Sequence, residues 1–169
     1  MPQPHTHSDK HEAHRRLVSR LRQQAEEVQR IAAGLDDASL SKRSTPDKWS
    51  LHELICHLDR VQQIFEQRIE SMLAQDNPAI QSYDPEGDVT FQQMVQHPPQ
   101  DALSAFLASR EKFAGRIEKL SPAEWHRPGR HPDFPHYDVH FQVEYMGHHE
   151  AHHIYQMFQR RAPFGKMPH

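Results

Sequence analysis

Trp49-Ser50-Leu51-His52-Glu53-Leu54-Ile55-Cys56-His57-Leu58 opens a helix and shows which way that helix faces. Ser50 as N-cap and Glu53 three residues on form a capping box, in which each side chain satisfies a backbone N–H left free by the first turn. Trp49 stands just outside, where an apolar residue packs on the helix entrance. Leu54, Leu58, Val61 and Phe65, joined by Ile64 and Met72, then recur at helical spacing, so the helix is expected to run to Ala74. His57 shares this stripe with Leu54, Val61 and Ile64 and is expected to point inward.

Three further helices follow from the same reasoning. Residues 9–34 carry Leu17, Leu21, Ala25, Val28 and Ala32 at spacings of three and four, with Gly34 as the stop. Residues 100–120 place Leu103, Phe106, Phe113, Ile117 and Leu120 on one face. The last helix is expected over Val139–Arg161, ended by Pro163 and Gly165. Between them, 36–48 is polar; 75–99 is irregular apart from a turn at Phe91–Val95; and 126–137 holds three prolines and a glycine. Ser121-Pro122-Ala123-Glu124 is a second capping box, holding Trp125. Four long helices, long connections and no convincing strand predict an all-α four-helix bundle. One domain is expected over 1–169, with its core in 9–161.

Composition narrows the partners. A net charge of −3 and a pI near 6.6 lack the basic footprint of a nucleic-acid binder. No apolar run approaches the ~20 residues of a membrane helix. Residues 1–10 show no hydrophobic segment, so no secretory signal is expected. A single cysteine, Cys56, excludes an internal disulfide and fits a reducing compartment, hence the cytoplasm.

Chemistry concentrates in the last helix, at His149-Glu150-Ala151-His152-His153 with Gln156 beyond. Residues four apart share a helix face, so His149 and His153 can aim two imidazoles at one point. His148 and His152 form a competing pair. Gln156 favours the first, since it continues that stripe and can orient a ligand. Val143, Gly147, Ala151, Ile154 and Phe158 are expected at the centre of the apolar face. His57 is the best third ligand. Three neutral imidazoles leave a coordination position open, as catalytic metal sites do. Any one of these histidines read alone is more often a satisfied core group than a ligand. Three that converge reverse that, because burying several imidazoles without a shared partner costs free energy.

With sixteen histidines some pairs fall four apart by chance. His52, His97, His126, His136, His140 and His169 need only a surface role, while His5, His7, His11 and His14 offer at most a weak site in a frayed arm. Residues 149–153 also match the HExxH zinc-protease spelling, but that fold rests its helix on a sheet, which this chain does not predict. Cys56 and His57 point about 100° apart on a helix, which argues against a Cys–His pair. Arg160-Arg161 reads as a solvated helix end.

Lys48-Trp49-Ser50 leading into Cys56-His57-Leu58, Trp125 with His131-Pro132-Asp133-Phe134, and His149–Gln156 occur in the order of the DinB-like superfamily, which the chain resembles from Leu17 to Arg161. The resemblance implies a four-helix bundle holding one divalent metal, nickel or zinc, on His57, His149 and His153, with Gln156 at the family's trailing glutamine. It also implies a homodimer and a small-molecule substrate. The expected function is transfer of a low-molecular-weight thiol to an electrophile. The alternatives are metal-dependent hydrolysis by an activated water, or a non-catalytic metal- or small-ligand-binding stress protein. No general base stands out, and Glu150, His152 and Gln156 are the candidates. Specificity is expected from 75–99 and 126–137. Two departures from the family pattern are Pro135-His136 after Phe134, where glycine is usual, and the additional imidazole of His152.

Overall fold

The capping boxes do what their spelling requires. In the computed structural model, which describes the backbone from residue 7 and side chains from residue 11, Ser50 Oγ accepts from Glu53 N at 3.1 Å. Glu53 Oε2 accepts from Ser50 N at 2.8 Å. Such a cap contributes about 1 kcal/mol. Ser121 and Glu124 repeat the arrangement at 3.2 and 2.7 Å. Seven α-helices result among the described residues: α1 His7–Ala32, α2 Asp37–Ser41, α3 Leu51–Ala74, α4 Val89–Met94, α5 Pro99–Glu118, α6 Pro122–Trp125 and α7 Val139–Arg161. Among the described residues no helix is long and apolar enough to cross a membrane.

The four long helices form the bundle. α1 packs on α5 and α7, and α3 packs on the same two, so the order around the bundle is α1, α5, α3, α7. Helices consecutive in the chain, α1 with α3 and α5 with α7, therefore stand on diagonals, which the long connections permit. The apolar interior is in two clusters. Val18, Leu21, Phe65, Ile69, Met72, Phe113, Ile117 and Trp125 make one; Val28, Ile31, Leu51, Leu54, Ile55, Phe106 and Met157 make the other.

The irregular segments are tied to each other. Ile80 N donates to Arg130 O at 2.7 Å, Arg130 N to Pro78 O at 2.8 Å, and Gly129 N to Tyr137 O at 3.0 Å. Gly129 is needed here, since a Cβ would come within 2.9 Å of Met72 Sδ. Arg127 closes the end of α3, donating to Met72 O at 3.0 Å and Gln75 O at 2.7 Å. These bonds hold 75–88 and 126–137 as one wall beside α3 and α7.

Several expectations change. The inward face of α7 is Val143, Met146, Gly147, Glu150, Met157 and Arg161, while Ala151 and Phe158 are exposed. The shift arises because Glu150 and Arg161 are buried with partners on other elements, which an apolar count misses. Arg161 is no solvated end: it donates to Ile31 O and Ala33 O at the end of α1. His52, expected at the surface, is buried on α3. His14 belongs to no frayed arm; its ring is buried and stacks on Trp125 at 4.4 Å. His11 is exposed on α1, and the side chains of His5 and His7 lie outside the described residues.

Candidate metal centre

Three imidazoles from two helices meet beside the bundle core. His57 on α3 is buried, and His149 and His153 on α7 are half-buried. His153 Nε2 lies 3.1 Å from His57 Nε2 and 3.1 Å from His149 Nε2. Two nitrogens each about 2.1 Å from one ion stand about 3.0–3.4 Å apart for octahedral to tetrahedral angles, so the spacing suits a shared ion. This is the one group of His, Cys, Asp or Glu among the described residues whose three ligand atoms lie within 4.8 Å of one another. A metal can be held here.

The protonation states agree. Burial, then His153 and His149, pushes His57 down to about 3. Burial with His153 and His152 pushes His149 to about 4. His153 is lowered by burial, opposed by its bond to Gln156. At neutral pH all three are uncharged, as metal ligands must be. Gln156 fixes one tautomer: His153 Nδ1–H donates to its Oε1 at 2.8 Å, leaving the Nε2 lone pair facing the other two rings. The amide then donates from Nε2 to His152 Nε2 at 3.4 Å. His57 Nδ1, by contrast, is buried with no partner among the described residues.

The triad opens into a cavity of about 400 Å³. Trp49, Phe65, Phe134, Tyr137 and Tyr145 give it aromatic walls, and Arg68, Ser82, Tyr83, His131 and Asp133 supply polar groups. Trp49 also supports His57, with ring centroids 4.9 Å apart. The loops 75–99 and 126–137 contribute Ser82, Tyr83, Pro85, His131, Asp133, Phe134 and Tyr137 to the lining.

Other candidates fall elsewhere. His148 and His152 are exposed, and His152 touches the triad only through Gln156 and its neighbour's ring. Glu150 turns the opposite way. Buried in the bundle, its two carboxylate oxygens accept from Arg110 Nη1 at 2.8 Å and from Nη2. The HExxH spelling thus lacks its base, and among the described residues only two isolated bridges replace the sheet it would need. Cys56 is a buried free thiol pushed up to about 12 by burial and by Asp59 and Glu53. Arg68 and Tyr145 were legible but unused: Arg68 extends the His57, Val61, Phe65 stripe, and Tyr145 precedes His149 by one turn. Ser82 and Tyr83 lie on irregular backbone, where no periodicity points.

An all-α bundle with a candidate three-histidine metal centre is the class defined so far. The sequence pattern of the DinB superfamily matches residues 20–157, and the chain belongs to that superfamily. Among solved structures it is similar to YfiT from Bacillus subtilis, described as a probable metal-dependent hydrolase with an unusual four-helix bundle topology. The TM-score is 0.74 at 16% identity, over 98% of this chain and 93% of that one. At that identity the likeness establishes the fold. No curated protein matches the chain.

Proposed function

We propose that this protein is a metal-dependent enzyme in which His57, His149 and His153 hold one divalent ion, nickel or zinc, and a low-molecular-weight thiol is transferred to an electrophile in the adjoining cavity. The observation that carries this reading is a set of three uncharged imidazoles at the end of a 400 Å³ cavity, with no carboxylate in the group. A dication bound by neutral ligands keeps its full charge, and so supplies Lewis acidity and favours the thiolate form of a coordinated thiol. Thiolate attack needs no general base, which suits a site whose nearest acid in sequence, Glu150, is bound to Arg110. The thiol proton leaves to solvent, a carbon–sulfur bond forms, and the leaving group departs with its electron pair. Gln156 orients His153, while Trp49, Phe65 and Tyr145 give the reacting end aromatic walls. The proposal includes a homodimer in a reducing compartment, supported by the family resemblance and by the single buried cysteine.

Hydrolysis of an ester or amide is the second reading, supported by the description of YfiT. Purified protein reconstituted with nickel or zinc is expected to hold one equivalent per chain, and His57→Ala none. Wild type should consume thiol against an electrophilic acceptor, and His57→Ala should not. Ester or amide cleavage without thiol consumption selects hydrolysis. Full occupancy with no turnover in either assay selects a binding protein, and metal retained by His57→Ala removes the site itself.

A further inference from the structure

The cavity changes character along its length. On α3, His57, Val61, Phe65 and Arg68 follow at spacings of four, four and three, so one stripe of the helix lines it. α7 runs antiparallel alongside: His57 meets His153, Phe65 meets Tyr145 with ring centroids 5.7 Å apart, and Arg68 reaches Gln142 at 3.4 Å. The lining therefore passes from imidazoles, over aromatic rings, to a guanidinium. Residues 57 to 68 span about 16 Å of helix axis at about 1.5 Å each. Helical side chains lean toward the N-terminus, which brings the Arg68 head group back toward the triad.

Among the described residues Arg68 is the one lysine or arginine in this lining, and the groups that hold it are neutral. Nη2 donates to Gln81 O at 2.7 Å and Nη1 to Gln142 Oε1 at 3.4 Å, and the guanidinium lies 5.3 Å from the centre of the Phe65 ring. Arg22, Arg43, Arg60, Arg110 and Arg116 each hold a carboxylate. Among the described residues Arg68 has none. Asp133, the one acid in the lining among the described residues, is largely exposed and accepts from Ser82 Oγ at 3.3 Å. Gln142 is engaged by the Tyr137 hydroxyl, so the arginine is oriented without being neutralised. A half-buried cation held this way retains donors for an anion, and the guanidinium fork suits a carboxylate.

We propose that Arg68 is an anion subsite, so that one of the molecules reacting here carries a carboxylate at Arg68, an apolar middle against Phe65 and Tyr145, and its reactive end at the triad. The inference rests on the reading of the triad as the reactive end. The carboxylate can belong to the thiol or to its acceptor, and two probe series separate these.

Nickel-loaded protein is titrated calorimetrically with 6-mercaptohexanoate and 6-mercaptohexanol, then with 4-chloro-3-nitrobenzoate and 4-chloro-3-nitrobenzamide. In at least one series the acid should bind about tenfold more tightly than its neutral partner, the size of one charge-assisted hydrogen bond. Arg68→Gln should erase that preference and leave the neutral probe's affinity unchanged, while Arg68→Lys keeps part of it. Circular dichroism checks the fold, with Arg68→Met replacing the glutamine variant if that does not fold. A purely structural arginine would not move the acid-to-neutral ratio. Equal binding of acid and neutral probe in both series overturns the subsite, as does a preference that survives loss of the guanidinium. If neither thiol binds while the benzoate preference holds, thiol transfer fails and the subsite stands.

Discussion

On α7, Glu150 and its neighbours His149 and His153 lead into two polar clusters that meet the cost of burial differently. Glu150 crosses the bundle diagonal to Arg110 on α5. Arg110 in turn donates to Gln62 Oε1 at 2.5 Å and to Leu21 O at 2.8 Å, and Gln62 donates to Ser109 Oγ at 2.6 Å. Both charges are more than nine-tenths buried, and each faces its opposite. The three histidines carry no charge, share a space, and leave the buried Nδ1 of His57 without a partner among the described residues. One cluster is closed by its own members and the other is open to a cavity. A polar group the fold has satisfied belongs to the structure; convergent lone pairs facing a cavity are suited to binding something else.

Breaking the closed cluster should produce the largest effect. Arg110→Met leaves Glu150 buried without its cation, and a loss of about 3–5 kcal/mol is expected in urea unfolding of the metal-free protein. The double variant Arg110→Met, Glu150→Leu should recover much of it, because no uncompensated charge remains. A loss below about 1 kcal/mol in the single variant would mean that water reaches the pair and that the two clusters differ less than their burial indicates.

The open cluster should respond in the opposite sense, with small changes in folding and large ones in binding. Gln156 touches His153 but is not itself in the triad. Gln156→Ala frees the His153 tautomer, and a 10–100-fold loss of nickel or zinc affinity is expected, about 1.4–2.7 kcal/mol, by competition with a chelator. Metal-free unfolding should shift by less than about 0.5 kcal/mol. Unchanged affinity would show that the amide does not hold the ring.

The same contrast explains what could be read in advance. Ser50 with Glu53, Ser121 with Glu124 and the span of α7 were legible because capping and periodicity are local. His57, His149 and His153 were legible as candidates because helix geometry maps spacing onto direction. The Arg110–Glu150 pair was not, since Arg110 sits among Phe106, Phe113 and Ile117 and looks like an exposed interruption until its partner across the bundle is known. That omission displaced the expected centre of α7 toward Ala151 and Phe158, both exposed. The cavity wall was visible only as two irregular segments. Its side chains are aimed by bonds between loops, such as Ile80 to Arg130, which no single stretch encodes.

A third histidine cluster sharpens the distinction most gently. His14 stacks on Trp125 and faces His126 and His140, with centroids 5.5 and 5.3 Å away; His11 and Asp138 also act on it. Burial first, then His140, His126 and His11, pushes it to about 4, against a weaker pull upward from Asp138. The unfolded chain, with an ordinary histidine pKa near 6.5, binds more protons than the native state between those values. Stability from this group is therefore complete above about pH 6.5 and is lost as the pH falls toward 4. His14→Phe keeps a ring against Trp125 and removes the proton site. Between pH 7.5 and 5.0, wild type should lose on the order of 1 kcal/mol more than the variant in urea unfolding, the remaining slope belonging to the other buried histidines. Parallel pH profiles for the two proteins would show that the buried His14 binds its proton as readily in the native state as in the unfolded chain, and that burial in the stack does not lower its pKa.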